Sequence, residues 1–401
     1  MSRHRVAVTG MGVVSPLGSS VEAFTDGLLA GRSGVRTISI FDASALPTRI
    51  AGEAALPAEV PLGDRKIAFA LEATRQAMRG VPRLEDAGVS FGVGLELFSM
   101  DDLVASKRPG FSLPASPIER LSFMQTPSDV CVHLIASEFG LTAPPLVHVS
   151  ACAAGTDAIG AAYRLVASGR RRAMIAGGTD SMINPLGVAG FCALSATSTR
   201  NEAPERASRP FDRTRDGFVM GEGAGALVLE RHEDAVARGA EILAELRGYG
   251  NSFDAHGISE PHPEGRGALQ AMQRALADAR LAPEDVDAVN AHGTGTPKND
   301  VIETLALRRL FGERAPKVPV VATKSMIGHL ISAAGAVEAV AAIACLRRGM
   351  LHPTINLHDP DPSCALDYVP NVARAHVQRH LLSCSYGFGG HNAAIVISSH
   401  E

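Results

Sequence analysis

Short apolar runs alternate with longer stretches of helical periodicity along the whole chain. Apolar runs bounded by glycine or polar residues predict strands, and the longer periodic stretches predict helices. The predicted strands are 5–14, 89–94, 147–149, 173–176, 218–229, 242–249, 286–290, 318–322, 381–385 and 393–398. The predicted helices are 20–29, 64–78, 127–139, 151–162, 265–279, 298–310 and 330–348. This alternation predicts an α/β fold with a mostly parallel sheet and helices on its faces.

Two segments interrupt this alternation. Residues 98–123 contain several prolines and mixed charges, and residues 193–209 are mostly polar. Both are predicted to be irregular, and a loop as long as the first is often functional.

The chain contains a weak internal sequence repeat. When it is shifted by 180 residues, 153–169 aligns with 333–349, and six of the 17 positions are identical. Two Ala-rich helices produce some of these matches by chance, but the register favours a duplicated fold with one central helix in each half. Cys152 aligns with Ser332, so only the first half carries a thiol there.

The composition of the chain indicates a large globular protein and argues against several other classes of protein. A chain of 401 residues with 46% hydrophobic residues can bury a core larger than one ordinary domain. A net charge of −4 argues against binding to nucleic acid. The apolar stretch 330–346 is too short, and too charged at Glu338, to span a membrane. Six cysteines without a CxxC pair, and no secretory leader, predict a cytoplasmic protein.

The strongest candidate for chemistry is Cys152, in the sequence Val-His-Val-Ser-Ala-Cys-Ala-Ala-Gly of residues 147–155. It lies where a predicted strand meets a predicted helix, and the helix N-terminus is expected to lower the pKa of its thiol. Its small neighbours would allow another group to approach the sulfur. The alternative is a buried cysteine with only a packing role.

Three further stretches carry polar groups at the ends of predicted strands. His292 ends one strand and is followed by Thr294 and Thr296, whose hydroxyls suit a polar ligand chain, although a simple turn would also explain them. Lys324 follows an apolar strand and needs a counter-charge, for which Glu338 is the natural partner. Residues 385–392 are rich in glycine and also fit a tight hairpin.

Together these stretches resemble the elongating β-ketoacyl-[acyl-carrier-protein] synthases, the condensing enzymes of fatty-acid and polyketide assembly. The similarity covers nearly the whole chain and is carried by Ala-Cys-Ala-Ala-Gly at 151–155, Asp-Gly-Phe-Val-Met-Gly-Glu-Gly at 216–223, Asn-Ala-His-Gly-Thr-Gly-Thr-Pro at 290–297, Lys-Ser-Met-Ile-Gly-His at 324–329, Glu338 and Gly-Phe-Gly-Gly at 387–390. The resemblance implies a thiolase-like duplicated fold, a five-layered α/β/α/β/α sandwich. Its fused halves would be 1–240, with the nucleophile, and 241–401, with the catalytic histidines.

The resemblance also implies roles for these residues. Cys152 would be the nucleophile, and His292 and His329 would complete the Cys-His-His set of elongating enzymes. Lys324 and Glu338 would form a buried pair beside His329. Further roles are implied as follows: Thr294 and Thr296 in pantetheine binding, Phe388 in the oxyanion hole and as a gate, and Phe191 in the acyl pocket. Neither a metal nor an organic cofactor is expected.

The implied activity is that of an acyltransferase of the EC 2.3.1 class. It would condense an acyl group on Cys152 with malonyl-acyl carrier protein, losing carbon dioxide, to give 3-oxoacyl-acyl carrier protein. The phosphopantetheine-bearing carrier is expected to be acidic and to dock on Arg65, Lys66 and Arg200. A homodimer or a heterodimer of a ketosynthase with a chain-length factor is expected.

Two alternatives to this activity stay open in the sequence. The chain could be a non-condensing partner subunit like the chain-length factors, although these typically lack the nucleophile. It could also be an acyl hydrolase that uses Cys152 and a histidine. Fatty-acid and secondary-metabolite pathways are both compatible with the resemblance.

Residues 96–126 depart from the family pattern. Glu96 stands where the family has glycine, beside the region that forms part of the dimer contact and the end of the acyl pocket. We expect this segment to set acyl length or the dimer partner.

Overall fold

The computed structural model describes residues 3–82, 84, 86–95 and 99–400. The helices are α1 Val21–Leu29, α2 Arg65–Ala77, α3 Met100–Ser106, α4 Pro117–Ser122, α5 Asp129–Phe139, α6 Ala154–Ala167, α7 Pro185–Ala193, α8 His232–Ala237, α9 Arg266–Ala279, α10 Pro297–Phe311, α11 Lys324–Ile327 and α12 Ala334–Arg348. The strands are β1 Val6–Val14, β2 Arg36–Thr37, β3 Ile50–Gly52, β4 Gly88–Val93, β5 Leu146–His148, β6 Ala173–Asp180, β7 Met220–Gly221, β8 Gly223–Arg231, β9 Ala244–Phe253, β10 Ala288–Asn290, β11 Val320–Val321, β12 Met350–Leu351, β13 Arg374–Ala375, β14 His380–Tyr386 and β15 His391–Ser398.

Ten of these strands form one sheet in the order β11-β10-β14-β15-β9-β1-β8-β6-β4-β5. The pairs nearest each edge are parallel, namely β11–β10, β10–β14, β6–β4 and β4–β5. The pairs between β14 and β6 are antiparallel. The prediction of a mostly parallel sheet is therefore wrong, because an apolar run identifies a strand but not the direction of its neighbours.

The sheet is built from two halves with the same topology. β1-β8-β6-β4-β5 and β9-β15-β14-β10-β11 show the same succession of two antiparallel and two parallel pairs. The halves meet where β1 pairs with β9, with Val6 opposite Leu246. The predicted duplication is thus confirmed in the strand order. The boundary predicted at residue 240 falls between α8 and β9.

Helices cover this duplicated sheet in layers. α6 and α12 contact each other and pack against strands of both halves. α2 and α5 pack on strands of the first half, and α9 packs on strands of the second half with α10 against it. Since α6 and α12 lie between the two halves of the sheet, each half is a separate β layer, and the order of layers is the predicted five-layered α/β/α/β/α sandwich.

The two central helices approach each other closely because their facing residues are small. A Cβ atom added to Gly155 in α6 would lie 2.9 Å from the backbone nitrogen of Ala336 in α12. Residues 334–346 of α12 are all buried, which explains the almost uninterrupted apolar run in the sequence. Among the described residues, no helix combines the length and apolarity needed to cross a membrane.

The structure contains several short elements that were not predicted, and those between β4 and β5 and after β6 are examples. Residues 98–123 were predicted to be irregular but contain α3 and α4, and the Ser99 side chain caps α3 by accepting a hydrogen bond from Asp102 N. α7 was not predicted, although Asn184 caps it and Pro185 opens it. The helices α3, α4 and α7 have only six to nine residues each, so residues typical of helix starts indicate them better than periodicity does. Glu96 lies outside the described residues.

Candidate active site

The Cys152 thiol lies in a one-turn 3-10 helix, residues Ala151–Ala153, between β5 and α6. Ala151 has a left-handed backbone with a φ of 49°, so the chain turns sharply as it leaves the strand. Gly92 of β4 makes room for this turn, since a Cβ atom there would lie 2.4 Å from the carbonyl carbon of Ala154. The turn places Cys152 at the carboxyl end of a parallel strand, where α/β sheets hold their sites.

Two histidines from the second half reach the Cys152 sulfur. Ring nitrogens of His292, after β10, and of His329, after α11, lie within 4.8 Å of Sγ and of each other. The two imidazole rings meet edge to face, with centroids 5.2 Å apart. The structure therefore brings together the three groups that the sequence placed 140 and 37 residues apart.

Burial raises the pKa of the Cys152 thiol to about 11. A backbone hydrogen bond from Phe388, the positive charge of Lys324 and the N–H of Cys152 itself act in the opposite direction but do not offset the desolvation. The expectation of a lowered thiol pKa is therefore wrong for the free protein. The thiol is neutral at rest, and its proton must move when the sulfur attacks.

Both histidines are neutral in this environment. Burial and the nearby charge of Lys324 hold the pKa of His292 and of His329 well below the ordinary value. His329 Nδ1 accepts a hydrogen bond from Ile331 N at 3.1 Å, which fixes the tautomer with hydrogen on Nε2. His329 can thus donate a hydrogen bond without carrying a charge.

Lys324 and Glu338 form the buried ion pair that the sequence suggested. Nζ of Lys324 lies 2.5 Å from Oε1 of Glu338, and each side chain is 1% exposed. Burial raises the pKa of Glu338 to about 7, and the Lys324 charge acts against this rise. The charge of Lys324 also acts on Cys152, His292 and His329, so one ammonium group influences all three residues.

A carboxylate that the sequence analysis missed fixes the backbone at His292. Glu303 of α10 accepts hydrogen bonds from His292 N at 2.7 Å and from Gly293 N at 2.8 Å. Burial raises the pKa of Glu303 to about 7. The sequence shows Glu303 only as a carboxylate in the second turn of a helix of mixed polarity, and such carboxylates are too common to indicate a role.

A second buried cluster holds the loop that carries the threonines. Arg215 donates to Thr296 O at 3.3 Å and to Pro297 O at 3.1 Å, and pairs with Asp361 at 2.7 Å. Asp300 accepts a hydrogen bond from Gly295 N at 3.2 Å. The Thr294 and Thr296 hydroxyls lie 2.9 Å apart as a result.

One cavity of about 310 Å³ connects these groups with solvent. Phe191 lies between two other rings, with its centroid 5.3 Å from Phe218 and 6.4 Å from Phe388. The predicted site residues that line the cavity are Cys152, Phe191, His292, Thr294, Thr296, His329 and Phe388. Lys324 and Glu338 lie behind this surface and are fully buried.

The three predicted docking cations have different environments. Arg65 pairs with the buried carboxylate of Glu222, and Lys66 is buried and pairs with Asp64. Both cations already neutralise carboxylates of the fold, which leaves little free charge for an acidic carrier, and their part in docking stays a prediction. Arg200 is 40% exposed and lies 3.5 Å from Asp216.

Comparison with known proteins gives two matches to family descriptions. Residues 3–235 match "Beta-ketoacyl synthase, N-terminal domain", and residues 243–358 match "Beta-ketoacyl synthase, C-terminal domain". The chain is 42% identical to "3-oxoacyl-[acyl-carrier-protein] synthase 2" of Synechocystis sp., covering 100% of this chain and 99% of the relative. It is 39% identical to the "Tetracenomycin polyketide synthase ketoacyl synthase alpha subunit" of Streptomyces glaucescens, covering 99% and 98%.

Solved structures resemble the chain over its whole length. A β-ketoacyl synthase from Burkholderia phymatum superposes with a TM-score of 0.89 at 35% identity, covering 99% of this chain and 100% of the other. A structure described as a type II PKS acyl-carrier protein in complex with its ketosynthase bound to the hexaketide gives a TM-score of 0.90 at 31% identity, with both chains fully covered.

Proposed function

The chain belongs to the β-ketoacyl synthase family, and from this premise we propose that it catalyses the decarboxylative condensation of a Cys152-bound acyl group with malonyl-acyl carrier protein. The product is 3-oxoacyl-acyl carrier protein. The observation that carries the proposal is the grouping of the Cys152 sulfur with ring nitrogens of His292 and His329, all within 4.8 Å of one another, on the wall of one cavity. The enzyme is a β-ketoacyl-acyl carrier protein synthase, an acyltransferase.

In the first half-reaction, the Cys152 sulfur attacks the thioester carbonyl of an acyl carrier protein. The new S–C bond replaces the bond to the pantetheine sulfur, and the pantetheine thiol leaves with the proton that Cys152 loses. Because the Cys152 pKa is about 11, this proton transfer accompanies the attack. The N–H groups of Cys152 and Phe388 are the proposed donors to the oxyanion, because both lie beside the sulfur to which the carbonyl carbon becomes bonded.

In the second half-reaction, His292 and His329 bind the thioester carbonyl of the malonyl group. Carbon dioxide leaves as the carboxylate C–C bond breaks, and its electron pair forms an enolate stabilised by hydrogen bonds from the imidazoles. The enolate carbon then attacks the acyl carbonyl on Cys152. The S–C bond breaks, and the cysteine thiolate takes up a proton from water, because loss of carbon dioxide from a carboxylate releases none.

The remaining residues position these reactants. Thr294 and Thr296 offer hydroxyls to the amides of the pantetheine arm, and their loop is held by Asp300 and Arg215. Phe191 lines the acyl side of the cavity. Phe388 stands between the acyl side and the malonyl side and acts as a gate.

The proposed partner is a phosphopantetheine-bearing acyl carrier protein. Its acidic surface is steered by exposed cations near the cavity, of which Arg200 is the predicted residue that remains exposed. A dimer, with a second copy or with a chain-length factor, is part of the proposal. Relatives from fatty-acid and polyketide assembly have similar identities of 42% and 39%, so both pathways stay open.

The test combines the purified protein with acyl carrier protein and malonyl carrier protein, and follows the products by mass spectrometry. We expect an acyl adduct on Cys152 and then a 3-oxoacyl carrier protein. Cys152→Ala should give neither, while Cys192→Ala, which removes a neighbouring half-buried thiol, should give both. Free acid without a condensed product would instead identify a hydrolase, and an absent adduct would identify a non-condensing partner subunit.

A further inference from the structure

An ion pair lies at the outer end of the active-site cavity. Lys298 Nζ pairs with a carboxylate oxygen of Glu260, and the two side chains are 62% and 51% exposed. Lys298 belongs to the first turn of α10, whereas Glu260 belongs to the segment that follows β9. Both residues line the cavity that contains Cys152, so the pair joins two separate segments across the mouth.

Lys298 supplies the positive charge on the wall of this cavity. Among the described lining residues it is the only lysine or arginine, and the lining carboxylates are Asp254 and Glu260. Asp254 is buried and already accepts hydrogen bonds from Asn392 Nδ2 at 3.1 Å and from His262 N at 2.9 Å. Glu260 is therefore the carboxylate that competes for the Lys298 ammonium group.

The substrate proposed above carries its own anion to this position. A phosphopantetheine arm is uncharged along its two amides and ends in a phosphodiester at the carrier protein. When the thioester end reaches Cys152, the phosphodiester stays at the mouth. Lys298 follows Thr296 by two residues. Its ammonium group is therefore next along the chain to the threonines that are proposed to bind the pantetheine amides.

We infer that Lys298 binds the phosphodiester of the arriving arm, and that Glu260 holds Lys298 in the free enzyme and is displaced when the arm enters. This inference rests on the proposed function. Exposed ion pairs contribute little to stability, so Lys298 can exchange one anion for the other without disturbing the fold. The phosphodiester carries a full negative charge shared by two non-bridging oxygens, and the bound arm holds it at the mouth, so it competes with Glu260 for Lys298 at a high local concentration.

The test uses two small acyl donors that differ only in the phosphate, namely the methyl phosphodiester of acyl-phosphopantetheine, which reproduces the single charge of the carrier-linked arm, and acyl-pantetheine. The quantity measured is the ratio of kcat/KM for the phosphorylated donor to kcat/KM for the other. Lys298→Ala should lower this ratio about three- to fivefold through KM, and the loss should shrink as salt is added. Lys298→Arg should retain the ratio, and Glu260→Gln should raise it.

Lys317 supplies the matched control, because it is an exposed lysine that does not line the cavity. Lys317→Ala should leave the ratio unchanged. An unchanged ratio in Lys298→Ala, or an equal loss with both donors, would overturn the inference while condensation itself continues. If the wild-type enzyme forms no 3-oxoacyl product even from acyl carrier protein and malonyl carrier protein, the proposed function fails, and this inference fails with it.

Discussion

Ala151 and Ile331, which are 180 residues apart, share a left-handed backbone with φ angles of 49° and 44°. Each is the first residue of a one-turn 3-10 helix that leads into a central helix, α6 or α12. Residues other than glycine adopt this conformation only where the surroundings enforce it. Ser332 occupies the position in the second half that Cys152 occupies in the first. The turn is therefore a feature of the duplicated fold that does not depend on the nucleophile, and only the first half has a cysteine there.

The strain at Ala151 predicts how substitutions there change stability. Ala151→Gly should be tolerated, because glycine adopts a positive φ without steric cost. Ala151→Val should lower the free energy of unfolding by about 1–2 kcal/mol, because a β-branched side chain disfavours this backbone. Denaturant unfolding measures both changes. A valine variant as stable as the glycine variant would contradict the assigned strain.

The raised pKa of Cys152 predicts how the free enzyme reacts with iodoacetamide. Only the thiolate is alkylated, and with a pKa of about 11 its fraction grows about tenfold for each pH unit from 7 to 9. We therefore expect the rate of alkylation at Cys152 to rise throughout that range, as measured by peptide mass spectrometry. A rate that levels off below pH 9 would show that the helix N-terminus outweighs burial after all.

The two histidines should affect decarboxylation more than acyl transfer. His292→Ala and His329→Ala each remove a donor to the enolate, and each loss should slow carbon dioxide release from malonyl carrier protein about a hundredfold. Acylation of Cys152 should persist in both variants. Since the pKa of each histidine lies well below its ordinary value, decarboxylation in the wild type should not fall between pH 8 and pH 6.5. Decarboxylation at the wild-type rate in either variant would exclude the assigned role.

The Lys324–Glu338 pair predicts non-additive stability. Lys324→Met or Glu338→Leu alone leaves a buried charge without its partner, and each should cost about 3–5 kcal/mol of unfolding free energy. The double variant should be more stable than either single variant, because no unpaired charge remains. Its decarboxylation should nevertheless stay low, since the ammonium group beside both histidines is gone. Additive losses in urea unfolding would argue against a coupled pair.

Arg200 and Arg65 offer a comparison between an exposed and a largely buried arginine. Arg200→Glu should raise KM for carrier-bound substrate, with an effect that salt weakens, and should spare a small thioester. Arg65→Ala should instead lower stability, because it leaves the buried Glu222 carboxylate unpaired. Steady-state kinetics at two salt concentrations and thermal unfolding distinguish these effects. If Arg65→Ala keeps full stability and raises KM for the carrier-bound substrate, Arg65 takes part in docking.

Much of the fold and part of the candidate site were determined by local sequence. The apolar run and its flanking residues predicted β1 and α9 almost to the residue, and the shift of 180 residues placed α12 on α6. Glu338 was identified as the partner of Lys324 because a charge inside an apolar segment requires a counter-charge wherever that segment is buried. These inferences succeeded because the properties on which they depend, namely periodicity, burial of an apolar run and motif spacing, are determined by residues close together in the sequence.

Other properties were decided only by the tertiary structure. The sequence cannot give the directions of paired strands, the burial of Arg65 and Lys66, or the sign of the pKa change at Cys152, because each depends on which distant segments exclude water from a group. Glu303 reaches the His292 backbone, and Glu260 reaches Lys298, only after β9, β10 and α10 have packed together. Desolvation and charge pairing are long-range consequences of packing, whereas capping, periodicity and motif spacing are local.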